Sequence, residues 1–585
     1  MRELLRGRGR MPRRYDAERP LISTPKVVTT MHTPAPFFCL SSRGYLYRVI
    51  SQLTHFVALA TVAVTVSAQT SWNKDTGLVL VGKVVTMNDA GDVLPNARVW
   101  LAGGKIMAIA RAGEVLPDGA KDAPVVDSKG VIYPGIIDLH NHPEYAIYPL
   151  MPIQRKYRDR YEWRWYDDIY NKRITFPQEV LTRPHYLDLG LEIGRYGEYK
   201  ALAGGTTSLQ GGRTNLAYSK EECLVRNIEN SPVESRVAAS RVDMGRSAKE
   251  WAAMQTERSK GPLVVHLAEG PSPRMALEFG AMKDSNLIGP ELIAIHGVGL
   301  TEPQLQELAS VGAKLVWSPL SNFMLYGQTA NVAAAKRAGL AISLAPDWAP
   351  SGSKSSLGEL KVADLVNKHA LKELFSDRDL VEMVTRKPAD AMGWGQRLGQ
   401  ITEGYLADVL VVDDRHADPY RNLINTIEDN IQIVAVRGEP LYGDAALLKA
   451  VRGSADVETA ATFARAKRSK AMTPNCPATS LPAMGVAETK ARIQQGLQFD
   501  AAQLAAKLTP DQLAKDFAQC SLPAPTGVAT PADAKRLLAC RFGLPFEKTR
   551  LSPLTTNEDP EFFSRLMKNR NLPKYLKALP SYYRQ

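Results

Sequence analysis

The apolar run Val131-Ile132-Tyr133-Pro134-Gly135-Ile136-Ile137-Asp138-Leu139 ends in His140-Asn141-His142, and this stretch limits what the chain can fold into more than any other. Side chains two apart on a strand share a face, so His140 and His142 leave the strand end side by side, spaced to grip one metal ion. Taken alone, such a pair is more often a surface or core feature than a ligand pair. The pattern recurs, however. Pro262-Leu263-Val264-Val265 leads into His266, Leu292-Ile293-Ala294-Ile295 into His296, and Ala341-Ile342-Ser343-Leu344-Ala345 through Pro346 to Asp347. Four of the chain's nine histidines thus sit at strand ends. Strands separated by helical segments, each ending in a metal-competent residue, predict an α/β fold: a parallel barrel whose chemistry gathers at the strand C-termini.

With those residues in this order, the sequence resembles the amidohydrolase superfamily, above all its cytosine deaminase and triazine chlorohydrolase branch. The resemblance is carried by Pro134-Gly135-Ile136-Ile137-Asp138-Leu139-His140-Asn141-His142, Gly204-Gly205-Thr206-Thr207, His266-Leu267-Ala268-Glu269, His296-Gly297, Ser318-Pro319-Leu320-Ser321-Asn322, Asp347-Trp348 and Gly399-Gln400-Ile401-Thr402-Glu403-Gly404-Tyr405-Leu406-Ala407-Asp408, within residues 77–445. It implies a (β/α)8 TIM barrel over 131–397. It also implies that the short strands on either side, in 69–130 and 398–445, fold together into a small β-sandwich, which the pattern of strands alone cannot pair.

Three neutral imidazoles and a carboxylate, His140, His142, His266 and Asp347, make a site for one divalent transition metal: zinc first, iron or manganese as alternatives. A divalent ion acidifies water, and a base must then carry the proton to the leaving group. Glu269 is placed for that role three residues after His266, and the resemblance supports it. His296 is then free to hydrogen-bond the water or polarise the substrate. The two-metal version of the family needs a lysine from the fourth strand. The expected fourth strand, residues 236–243, contains none, which favours one metal. Asn322 and Trp348 are candidate substrate contacts, although Asn322 could equally brace a turn and Trp348 simply pack. The aromatic and basic segment 143–200 follows a catalytic strand and is expected to cover the pocket.

The formal charge of +12 does not imply nucleic acid. Residues 1–68 hold ten Lys or Arg against three Asp or Glu, leaving about +5 over the rest, with no nucleic-acid motif. The uncharged apolar run 56–68 follows Arg43 and Arg48 and ends in Val66-Ser67-Ala68. It reads as a secretory signal cleaved before Gln69, too short to span a bilayer comfortably, so the mature protein is expected in the periplasm or secreted. An uncleaved anchor is the alternative. Of the cysteines beyond the leader, Cys223, Cys476, Cys520 and Cys540, the favoured pair is Cys520 with Cys540; free buried thiols are the alternative.

Past residue 445 the chain is expected to be a helical extension, 446–585, with helices over 456–470, 486–507, 510–519 and 531–541. Thr509-Pro510 and Thr530-Pro531 mark two helix starts. The extension is either a wrap on the barrel or an oligomer contact. The reading is therefore a metal-dependent hydrolase of C–N bonds, acting by deamination or amide hydrolysis on a small cyclic or aromatic nitrogen compound. The alternatives are a cyclic-amide hydrolase or lactonase resembling imidazolonepropionase, and a noncatalytic binding protein on the same barrel. The expected partner is a small-molecule substrate, with no nucleic acid, no stable membrane span after signal cleavage, and a homo-oligomer as one option.

Overall fold

The computed structural model describes residues 65–67 and 71–584, except 168–169, 212–222, 230–236, 238–243, 245–246, 465, 475, 477–480 and 543–547. Most of the expected leader and nearly all of the expected fourth barrel strand therefore lie outside the described residues. Thr65–Ser67, at the leader's end, pairs antiparallel with Val125–Asp127 as a short marginal strand.

The apolar run before His140 is divided between two sheets. Val125–Pro134 belongs to a ten-stranded sheet, and Ile136–Asp138 belongs to a parallel one, so the first barrel strand starts at 136 rather than 131. The break has a local cause. Pro134 lacks an N–H for a ladder bond. Gly135 passes so close to Thr207 that a Cβ would lie 2.2 Å from its Oγ1, and its N–H donates to Asp408 O at 2.8 Å.

The ten-stranded sheet interleaves both flanks. Its core is the antiparallel pairing of Val409–Val412 with Val125–Pro134, Val409 standing opposite Pro134 and Val412 opposite Val131. Leu78–Val85, Val93–Ala102 and Lys105–Ala110 extend it on one side, and Ile431–Val436 and Glu439–Asp444 on the other. Alternation sends Val409 and Val411 to an outer core with Leu80, Val99 and Ile433, and Leu410 and Val412 to the core shared with the barrel. The sheet does not stop at residue 445. The hairpin Glu458–Phe463 and Arg468–Met472 pairs with Glu439–Asp444 and replaces the helix expected over 456–470. Alanine-rich local propensity favours helix there, but edge pairing and burial of Ala460, Ala471 and Met472 override it.

The barrel strands form two parallel arcs among the described residues: Ile136–Asp138, Thr206–Leu209 and Arg226–Asn227; then Leu263–Leu267, Leu292–His296, Lys314–Trp317 and Ala341–Leu344. A bridge between Asn141 and Asp347, with the Asp347 N–H donating to His140 O at 3.2 Å, ties the last strand's exit to the first's. Arg226 and Asp408, both unexposed, pair at 3.0 Å and lock the barrel to the flanking sheet.

The extension packs on the barrel. Its helices include Val486–Gly496, Ala501–Ala505, Pro510–Gln519, Pro531–Phe542 and Pro560–Lys568; the expected 486–507 helix is split, with Asp500 capping its second piece. Thr509 accepts from the Gln512 N–H, as its place before Pro510 predicts. Disulfides join Cys520 to Cys540, as favoured, and Cys223 to Cys476, a pairing that spacing gave no means to choose. Further on, residues 549–584 run as a strap. The Ser552 N–H donates to Ile147 O (2.9 Å), Arg565 Nη1 to Leu150 O (2.6 Å) and Asn571 Nδ2 to Met324 O (2.8 Å); Lys354 pairs with Asp559 at 2.7 Å. No helix among the described residues is long and apolar enough to cross a membrane.

Candidate active site

The predicted ligands converge at the carboxyl ends of the strands. His140 and His142 lie just past Ile136–Asp138, not on it, yet their rings stand 5.0 Å apart. Asp138 makes this possible: its carboxylate accepts from the His140 N–H (3.2 Å) and from Asn141 Nδ2 (2.6 Å), fixing the turn. Burial pushes the Asp138 carboxyl up to about 7. The His266 ring, from Leu263–Leu267, sits 4.6 Å from that of His140 and 5.6 Å from that of His142. Asp347 adds Oδ1 at 2.8 Å from His140 Nε2 and 3.5 Å from His142 Nε2. One donor atom from each of His140, His142, His266 and Asp347 lies within 4.8 Å of the others.

These residues fit a divalent metal. His140 Nε2 is buried and close to a carboxylate oxygen, but in no hydrogen-bonding geometry with it, as expected of two donors aimed at a common ion rather than at each other. Burial, followed by the neighbouring imidazoles, holds the His266 ring well below the usual histidine range, and burial also lowers His140, so both offer lone pairs. Burial alone would raise Asp347, but the surrounding imidazoles outweigh it and keep the carboxylate charged.

Glu269 and His296 stand against the same cluster, with one donor atom of each within 4.8 Å of His266. His296 Nε2 lies 3.8 Å from Glu269 Oε2 and 4.0 Å from Asp347 Oδ2. Burial pushes Glu269 up to about 7, against the pull of Arg160, and pushes His296 down to about 3. Both His296 (φ 70°) and Asp347 (φ 65°) hold left-handed backbone conformations, uncommon for residues other than glycine, which turn their side chains inward as each strand ends.

The two suggested substrate contacts differ. Asn322 has no exposure and spends its side chain on His296 Nδ1 (2.9 Å) and Thr329 Oγ1 (3.2 Å), so it supports the site from behind. Trp348 follows Asp347 and stacks on Trp163 at 5.5 Å, with Tyr145 and Tyr170 at its edges. The segment 143–200 thus does bring aromatic side chains beside the metal ligands.

Several partners escaped the sequence reading. Ser321 Oγ donates to Asp347 Oδ2 at 2.6 Å, and Tyr326 OH donates to Glu269 Oε1 at 2.7 Å while accepting from Trp163 Nε1 at 2.8 Å. Gln210 holds Glu229 with its Nε2 (2.8 Å). Ser321 lay inside a quoted motif; Tyr326 and Trp163 carried no signal beyond being aromatic. Lys354 and Glu359 beside the site are structural: Lys354 holds the strap, and Glu359 accepts from the Leu320 N–H at 2.8 Å.

A buried three-histidine, one-aspartate cluster at the carboxyl ends of parallel strands defines a metal-binding β/α-barrel protein. Residues 264–441 match the amidohydrolase family, a stretch that takes in His266, Glu269, His296, Asn322 and Asp347. Over that stretch the chain is similar to the amidohydrolase family. Among curated relatives it is 29% identical over 198 residues to a 5-methylthioadenosine/S-adenosylhomocysteine deaminase of Syntrophobacter fumaroxidans, covering 32% of this chain and 45% of that protein. A 5'-deoxyadenosine deaminase of Methanothermobacter thermautotrophicus is 24% identical over 371 residues, 54% of this chain and 81% of the relative. The chain spans about half the length of most curated relatives it matches. Zinc-bound atrazine chlorohydrolase from Arthrobacter aurescens superposes with a TM-score of 0.51 at 18% identity, over 62% of this chain and 95% of that one. A zinc-bound adenosine deaminase from Xanthomonas campestris gives 0.50 at 17%, over 62% and 92%. These superpositions show that the chain shares the fold of those two proteins, with which its two parallel arcs agree.

Proposed function

We propose that the protein is a metal-dependent hydrolase that removes an exocyclic nitrogen substituent from a small planar nitrogen heterocycle by attack of water. The observation that carries this reading is the convergence of His140, His142, His266 and Asp347 on one point, with Glu269 and His296 beside them. Those four side chains would hold one divalent ion, zinc for preference, which would supply acidification of a water. Glu269 accepts the proton of the attacking water and passes it to the leaving nitrogen. Its carboxyl, pushed up to about 7 by burial, is matched to that double duty. His296 donates a hydrogen bond toward the attacked centre, and the aromatic wall around Trp348 stacks on the ring. The curated relatives named as adenine-nucleoside deaminases support exocyclic amines as the group removed.

The test is ammonia release by metal-stripped and zinc-reloaded protein on aminopurine nucleosides, aminopyrimidines and aminotriazines, with lactones and cyclic amides alongside. Turnover restricted to the amines and restored by zinc is the expected result. Turnover of the lactones alone would replace the reading, and no turnover of anything by protein holding one zinc per chain would favour a binding protein.

We also propose export. The apolar run 56–68 and the two disulfides support it, because disulfides persist in oxidising compartments. Mass spectrometry of the mature protein from its native host is expected to find Gln69 at the N-terminus; an intact N-terminus upstream of the apolar run would refute cleavage.

A further inference from the structure

The helix Pro319–Tyr326 is buried along its whole length and sends three side chains to three different groups of the centre: Ser321 to Asp347, Asn322 to His296 and Tyr326 to Glu269. The middle contact differs in kind from the other two, because a neutral imidazole has two forms. We propose that Asn322 is a positioning residue that holds His296 in the form protonated on Nε2, so that the ring offers an N–H, not a lone pair, to the reacting atoms. The proposal rests on the reading above that His296 faces those atoms.

The hydrogen-bond chain behind the ring sets the direction. Trp317 Nε1 can only donate, and it donates to Thr329 Oγ1 at 2.7 Å. The Thr329 hydroxyl proton then goes to Asn322 Oδ1, 3.2 Å away, which can only accept. That leaves Asn322 Nδ2, a donor only, against His296 Nδ1 at 2.9 Å. Nδ1 must therefore accept, and the ring proton sits on Nε2. The amide stands with Oδ1 toward Thr329 and Nδ2 toward the ring.

The front of the ring agrees. Nε2 is buried with no hydrogen-bond partner among the described residues, and it faces Glu269 Oε2 at 3.8 Å and Asp347 Oδ2 at 4.0 Å. An N–H pointing between two carboxylates is electrostatically favourable, whereas a lone pair there would be repelled by both. His296 is 1% exposed, so no bulk water competes for the choice.

Nitrogen-15 NMR of the zinc-loaded protein, labelled only at histidine, reads the form directly. The His296 signals are assigned by their disappearance in His296→Gln. The expected wild-type result is a protonated Nε2 and an accepting Nδ1. Asn322→Leu is expected to give a mixture of both forms, and Thr329→Val to shift the balance the same way, with kcat/KM of Asn322→Leu about 10- to 100-fold lower. A wild-type ring protonated on Nδ1 would overturn the proposal, and so would an unchanged ring in a folded Asn322→Leu. The wild-type spectrum alone decides if both variants fail to fold. Should the forms behave as expected while His296→Gln turns over at the wild-type rate, the assignment of the proton stands and the placement of His296 at the reacting centre fails.

Discussion

Glu269→Gln is expected to lower kcat about 100- to 10,000-fold while leaving metal content unchanged. Glutamine is isosteric with glutamate, and its amide oxygen can still accept the hydrogen bond from Tyr326 OH, so the cavity keeps its shape. It has no basic oxygen, however, and the proton of the attacking water has nowhere to go. The four proposed ligands are untouched, so elemental analysis is expected to give the wild-type stoichiometry. A rate near wild type would remove Glu269 from the reaction. The pH profile gives an independent check. The base works as carboxylate, so activity falls as pH drops through its folded-state pKa. Burial places that value near 7, and a bound dication favours the charged form, so the acid limb is expected below about 7. Glu269→Gln is expected to lose that limb.

Asp347→Ala is expected to weaken metal binding by more than about 100-fold, beyond what loss of an outer-layer partner costs. Asp347 is the one carboxylate among the proposed donors, and its charge balances a dication that three neutral imidazoles cannot. Its Oδ2 is held by Ser321 and its N–H by His140 O, so it is fixed before the ion arrives. Metal titration against a competing chelator measures the loss. Unchanged occupancy would take Asp347 off the ligand set, and two ions per wild-type chain would call for a bridging ligand not among those named.

How much of this was legible follows from where each residue lies. His140, His142, His266, His296 and Asp347 each sit at or just beyond an apolar run, so strand periodicity exposes them. Glu269 is visible only because it follows His266 at short range. The residues behind them are another matter. Ser321, Asn322 and Tyr326 share a short helix with Leu320, Phe323, Met324 and Leu325, all buried, so no polar face separates working side chains from filling. The Glu458–Phe463 hairpin was misread for the opposite reason: its alanines favour helix locally, and only a partner strand elsewhere in the chain makes it a strand. The Val409–Val412 to Val125–Pro134 pairing is equally invisible from either segment, since register between distant strands is a property of the assembled sheet.

The strap formed by residues 549–584 bears on when the site comes into being. It fastens the loop after His142 through Ile147 and Leu150, and the helix carrying Asn322 and Tyr326 through Met324; Arg565 reaches Leu150 across 415 residues of sequence. Closing contacts across so much chain costs loop entropy that local contacts do not. A chain still being synthesised can therefore present every metal ligand and the base while lacking the fastening that holds their surroundings in place. The surroundings of the site are thus tied down by residues that are synthesised after every one of the ligands themselves.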